Sequence, residues 1–561
     1  MSSLPAELPS PTPIPTPVEF PVVWDDPSDA FMFWTNDRMH FPRPILALEC
    51  EVWAAFMEGV NSAGETYAFP IRQRFRRINT YLYQAVIPVV PPEQMEANGQ
   101  IGQELMAKGI EQLPDKWQRE WLPEVQGILD RWRAFPLSTA SGAELAAHFE
   151  ETMAMAARLG DIHFQAVLPG YMPLGLFEEY FCELFPDRKP FDAYRLLQGF
   201  DNKTLETDRA LFDLARRATL NATLLTLIQE TEPQALRGAL EQSADGRAFL
   251  ADLRRYLDEY GQRGETWSIA EPSWIEDPTP VLKTLRDYTR DGAHDPHVEM
   301  RRLAAERDTA IADARTQLIG YPRAVVERFE SLLESAQFGN VLSEDHNFWI
   351  DFRGFHQVRC VVVACGERLA ASGAIASAED IWHLTSADVL RALRSSAPGD
   401  LRPIVDGARA EITRFAAIAR PPALGSQPPG APPDDAMGRV MGRFFGTPPP
   451  PAAETDVIRG HAGSPGRVRG RARVVRALTD AVKLQPGEVL VAETTAPPWT
   501  PLFGTAAAVV TDTGGILCHC AVVAREYGIP AVVGAVVATR RVRDGQLLEI
   551  DGDAGTIRLL D

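Results

Sequence analysis

At 561 residues the chain is too long for a single hydrophobic core, so two to four domains are expected. Charged residues make up 24% and apolar residues 45%, the balance of an ordinary globular protein. A formal charge of -20 argues against a surface that grips nucleic-acid phosphates, because such surfaces need clustered Lys and Arg.

The N-terminal stretch has no basic segment followed by an apolar core, and no apolar run approaches the roughly 18 residues of a membrane span. Six cysteines without a CxxC pair give no signature of zinc or of a redox dithiol. The expectation is a cytoplasmic protein with neither a nucleic-acid nor a membrane partner.

Taken in chain order, residues 1–23 are rich in Pro and Ser and read as an extended tail. Residues 24–419 carry mainly helical signals; Leu211, Leu214, Ala215, Ala218, Ala222 and Leu225 fall on one face at helical spacing. Residues 420–456 hold two Pro-rich stretches flanking a short helical piece with Met437, Val440 and Met441, which reads as a linker and swivel. Residues 457–561 change texture to short β-type runs punctuated by Gly and Pro, a small α/β domain. The fold class expected is therefore multidomain, with a large mainly α region followed by a small C-terminal α/β domain.

One C-terminal segment carries recognisable chemistry. The apolar run 506–510 ends at TDTGGILCHCAVVAREYGIPAVVG, where Gly514 and Gly515 permit close backbone approach and residues 521–526 read as a helix. A histidine at such a turn, His519, has backbone N–H groups and a favourable helix dipole beside its ring. Imidazole is nucleophilic at neutral pH, so it can carry a phosphoryl group. Cys518 and Cys520 flank it, but three consecutive residues do not converge on one tetrahedral ion. Arg467, Arg469, Arg471 and Arg473 alternate with small residues and read as the solvated face of a strand.

Gly514, Gly515, His519, Ala521, Ala524, Arg525, Glu526, Gly528, Ile529 and Pro530 resemble the phosphohistidine signature of the phosphoenolpyruvate-utilising enzymes. That family includes phosphoenolpyruvate synthase, pyruvate phosphate dikinase, rifampicin phosphotransferase and phenylphosphate synthase. The likeness extends through GSPGRVRGRARVV, PGEVLVAETTAPPWTPLF and DGQLLEIDGDAGTIRLL. It implies that His519 is phosphorylated at a nucleotide site and that its domain then swings to a second site. Leu517 stands where pyruvate phosphate dikinases have a threonine modified in regulation, so that control is not expected here.

Residues 1–450 show no Gly-rich strands with phosphate-holding lysines of the ATP-grasp kind, and no pyruvate-binding barrel follows the signature. The resemblance is therefore greatest to the transferase subunit of phenylphosphate synthase-like aryl dikinases, and to rifampicin phosphotransferase without its ATP-binding domain. It implies a separate ATP-grasp subunit as partner, ATP with Mg2+ or Mn2+ as cofactors, and AMP plus phosphate as co-products. It also implies transfer of the phosphoryl group to a small phenolic compound bound in the helical region. Alternatives are a rifamycin-like alcohol as acceptor, or a phosphocarrier or regulator with no small substrate.

Strings at residues 192–208, 249–264 and 344–359 resemble the substrate-binding domain of those proteins. Transfer to a hydroxyl needs a base near the acceptor oxygen and cations around the phosphoryl oxygens. His346 is the expected base, with Glu344, Asp345, Asp351 and His356 as further candidates, and Arg263, Arg353, Arg359 and Lys203 are the candidate cations. Aromatic residues at 168–185 and at Phe348, Trp349, Phe352 and Phe355 offer the wall of an apolar pocket.

Overall fold

The computed structural model describes residues 12–290, 295–427, 436–447, 449 and 456–560. The chain forms two compact units. One comprises Met1–Leu168, Ser268–Ala270 and Gln357–Asp434; the other comprises Pro169–Trp267, Glu271–His356 and Asp435–Asp561. The region expected as one helical body thus divides between both units. Among the described residues, no helix is long and apolar enough to cross a membrane.

The first unit contains a five-stranded antiparallel sheet drawn from the expected tail, the stretch expected to be mainly helical and the expected linker, whose residues 423–427 are a strand and not a spacer. Its strands are β1 (Thr12–Pro13), β2 (Phe33–Asn36), β3 (Ile71–Ile78), β4 (Tyr81–Pro88) and β5 (Ala423–Gln427), in the order β1-β5-β2-β4-β3. The hairpin between β3 and β4 turns on Asn79 and Thr80, both left-handed at φ 48° and 69°, which matches the twist of paired strands. Phe20 and Trp34 are fully buried against Tyr81, Tyr83 and Phe415. The end of the expected Pro-rich tail is therefore packed into this core, while residues 1–11 lie outside the described residues.

The second unit joins helices to an eight-stranded sheet. Its strands are β6 (Val457–Arg459), β7 (His461–Ser464), β8 (Arg467–Val474), β9 (Val489–Ala492), β10 (Ala508–Thr511), β11 (Ala531–Val533), β12 (Leu547–Asp551) and β13 (Thr556–Leu559). They lie in the order β6-β13-β12-β8-β9-β10-β11-β7. Strands β8, β9, β10 and β11 run parallel, and β9, β10 and β11 are short, wholly buried Val- and Ala-rich runs, as both faces being covered requires. The β8 arginines pair along the sheet surface; Arg467 reaches Asp551 at 2.6 Å and Arg469 reaches Glu549 at 2.5 Å.

The helical face read from residue 211 to 225 is interrupted. Leu211, Leu214, Ala215 and Ala218 are buried in helix Lys203–Ala218, but Asn221 caps Thr223 N and Leu224 N and starts a new helix, which leaves Ala222 exposed. Of the expected linker, residues 428–435, 448 and 450–455 lie outside the described residues. Its helical piece is helix Ala436–Phe445, with Val440 buried.

Candidate active site

The wholly buried strand β10 delivers the chain to a tight loop. Gly514 turns it with φ 92°, a backbone state that L side chains resist. Gly515 comes so close to helix Ala436–Phe445 that an added Cβ would stand 2.2 Å from the Arg443 carbonyl oxygen. Gly515 N donates to Phe444 O and Leu517 N to Arg443 O, each at 2.9 Å. Cys518, in extended conformation, is the N-cap, and His519 opens helix His519–Glu526.

His519 is buried, and its ring is held from two sides. Nδ1 lies 3.1 Å from Glu344 Oε1, and Nε2 lies 3.3 Å from Thr500 Oγ1. Burial pushes the Glu344 carboxyl up, but the His519 ring and the Thr204 hydroxyl outweigh burial and leave it below its ordinary value. Glu344 is therefore an ionised acceptor, with Thr204 Oγ1 donating to its other oxygen at 2.7 Å. A carboxylate partner places a proton on Nδ1, and in the neutral ring with that tautomer Nε2 has a lone pair that accepts from Thr500 Oγ1. In that tautomer Nε2 is the ring nitrogen with a lone pair, at the start of a helix whose dipole favours an anion.

The other expected residues are distributed differently. Asp345 Oδ1 accepts from Lys203 N at 2.8 Å, and burial raises its carboxyl to about 6. Lys203 Nζ is paired with Glu206 at 2.7 Å. Arg263 is 3% exposed and donates to Thr207 Oγ1 at 3.2 Å; burial lowers its guanidinium to about 10. Arg353 donates to the Glu259 carbonyl at 2.7 Å and covers the Phe348 and Trp349 rings.

Helix Arg323–His346 runs into a wider π-type stretch, Asn347–Phe352, which shifts the helical face just past Glu344. His346 Nδ1 donates to Leu342 O at 2.7 Å, and its Nε2 stands 3.8 Å from Asp351. These ties hold His346 within its own helical run, and Glu344 is the residue that meets the His519 ring. Arg359 belongs to the first unit, where it pairs with Glu379 at 2.7 Å and donates to Ala270 O at 2.9 Å. Sequence reasoning missed Thr204 and Thr500. Both lie in strings that carry the family likeness, APPWTPLF and residues 192–208, but nothing in those strings singles out a threonine.

The model of the "PEP-utilising enzyme, mobile domain" family matches residues 484–555, the loop and helix of His519 included. The C-terminal domain belongs to the phosphoenolpyruvate-utilising family. The rifampicin phosphotransferase fourth domain matches residues 163–339, which end five residues before Glu344. The chain is 38% identical over 554 residues to the chondramide synthase of Chondromyces crocatus, covering 96% of this chain and 14% of the synthase. It is 32% identical over 403 residues to a phosphotransferase of Bacillus subtilis (strain 168), covering 71% of this chain and 47% of the relative. To the rifampicin phosphotransferase of Streptomyces sviceus it is 28% identical over 420 residues, covering 71% and 44%. The chain thus spans less than half the length of each of these relatives. The pairing of His519 with Glu344 joins the phosphoenolpyruvate-utilising mobile domain to the helical part of the same unit.

Proposed function

We propose that the chain is the transferase part of a phosphotransferase, in which His519 takes a phosphoryl group originating from ATP and passes it to the hydroxyl of a small phenolic or aromatic compound. The observation that carries this reading is the contact of His519 Nδ1 with the buried carboxylate of Glu344, which leaves Nε2 as the atom able to bear the phosphoryl group. The names of the phosphotransferase relatives support the reaction class.

In the transfer step the P–N bond at Nε2 breaks and a P–O bond forms to the acceptor oxygen. The hydroxyl proton ends on Nε2 or on solvent, while Glu344 keeps the Nδ1 proton in place throughout. A phenol suits this arrangement because its hydroxyl ionises near 10, as for tyrosine at about 10, and needs only a modest base.

ATP, with Mg2+ or Mn2+, is assigned to an ATP-grasp component acting with this chain. Each Glu344 oxygen already accepts one hydrogen bond, from His519 or from Thr204, and Asp345 Oδ1 accepts from the Lys203 amide. The domain carrying His519 would travel between the nucleotide and the acceptor, with the part of the expected linker beyond β5 as the swivel. A rifamycin-like alcohol as acceptor is the second reading, favoured by the match to the rifampicin phosphotransferase fourth domain.

The test combines the full chain with an ATP-grasp component, ATP labelled at the β-phosphate, and a panel of phenols and rifamycin. Acid-labile label on His519 followed by labelled aryl phosphate is expected, with neither in His519→Ala. Label on His519 that no acceptor consumes would replace the transferase reading with that of a phosphocarrier, and aryl phosphate formed by His519→Ala would end it.

A further inference from the structure

A cavity of about 270 Å³ lies between helix Thr279–Tyr288 and the C-terminal domain, within the second unit. Trp274, Val281 and the buried stem of Lys283 wall one side; Leu478, Pro498 and Leu502 wall the other. The Lys283 ammonium is withdrawn into an ion pair with Asp287 at 2.5 Å, so the helix presents its stem and not its charge. The result is a mostly apolar slot with an indole and proline rings on its walls, a surface that suits a flat aromatic ring.

Two observations tie this slot to His519. Pro498 and Leu502 flank Thr500, whose hydroxyl reaches His519 Nε2 at 3.3 Å, so one short turn touches both the cavity and the reacting nitrogen. On the opposite wall, the Arg263 guanidinium lies 5.3 Å from the centre of the Trp274 ring. That buried cation also feels the charge of Glu344.

We propose that this cavity binds the aromatic body of the acceptor, a small phenol, so that the helical part and the C-terminal domain close on the substrate together. The proposal rests on the transferase reading above but is tested apart from it. Because both walls are needed, the site exists when the two parts are packed as they are here.

The probe is 4-iodophenol with the full chain. Titration calorimetry is expected to show saturable binding that weakens at least tenfold in Val281→Trp and in Leu478→Trp, which fill the slot from opposite walls. Labelling of His519 by ATP and the ATP-grasp component should be unchanged in both, which also reports that they fold. The anomalous signal of iodine in crystals of the wild-type complex should lie between Trp274 and Pro498, a result independent of any variant. Absence of binding, iodine elsewhere, or filled variants that make aryl phosphate at the wild-type rate would overturn the cavity assignment while leaving the transferase reading intact. Iodine in the slot with no aryl phosphate formed from labelled His519 would uphold the cavity as a ligand site and sink the transferase reading instead.

Discussion

Glu344 Oε1 and His519 Nδ1 stand 3.1 Å apart although the two residues are 175 positions apart in the chain. The carboxylate is buried, and its partners keep it ionised, so it fixes which imidazole nitrogen is protonated. Glu344→Gln keeps the shape but no longer demands a proton on Nδ1. Turnover should fall by roughly 10²-fold, the lower range for a lost acid–base partner, with the acceptor KM little changed. Following labelled aryl phosphate against acceptor concentration checks this; a wild-type kcat would remove Glu344 from the mechanism.

Thr500 donates the hydrogen bond that meets Nε2. Thr500→Val preserves volume and removes the donor, and a neutral hydrogen bond contributes about 1 kcal/mol, so transfer should change by roughly fivefold. The stability of the variant should fall by no more than about 1 kcal/mol, the net worth of one buried neutral hydrogen bond. A large stability loss without a rate effect would make Thr500 a packing residue only.

Gly515→Ala places a methyl against a carbonyl that cannot yield without moving helix Ala436–Phe445. The cost should be about 1–3 kcal/mol, as for overpacking in a tight interior. Protease cleavage near residue 446 should accelerate in the same variant, because the loop amides of Gly515 and Leu517 bond to that helix. Unaltered cleavage would show that the helix does not depend on the loop.

Glu526 accepts from Gly199 N at 3.1 Å, a contact between the C-terminal domain and the helical part, and burial raises its carboxyl to about 7. The Gly199 amide and the Arg525 charge oppose that rise without cancelling it. A solvated glutamate releases its proton near 4.3, so between about pH 4.3 and 7 the packed arrangement holds a proton that the separated one has lost. Association of the two parts is therefore strongest below this window, declines as pH rises through it and levels off above about 7. Energy transfer between dyes on the two parts should follow that course, and Glu526→Gln should flatten it. The same slope in the Gln variant would assign the pH dependence to another group.

The segment proposed to carry the phosphoryl group was legible in the sequence because its signature is local. A buried β-run, two glycines, a cap and a short helix occupy one continuous stretch, so His519, Gly514 and Gly515 declare themselves together. The small α/β domain was legible for a related reason, since short apolar runs between Gly and Pro fix strand positions with no help from distant residues.

The groups around the histidine were not legible, because proximity there is made by folding. Segment 344–359 offered several bases of equal standing, and the π-type stretch Asn347–Phe352 together with packing against the C-terminal domain selected Glu344 for the ring. Arg359 and Arg353 were candidate phosphate ligands, and the structure pairs them with Glu379 and Glu259, partners too far along the chain for spacing to reveal. The five-stranded sheet escaped notice in part for a similar reason. Its β5 comes from residues 423–427, hundreds of residues from its partners β1 and β2, whereas the hairpin of β3 and β4 on Asn79 and Thr80 was a local signal that the helical reading passed over. Sequence by itself determined the mobile-domain signature and the histidine within it; tertiary structure alone decided which carboxylate holds that ring, because a buried charge is placed by whatever partner packing brings within hydrogen-bond reach.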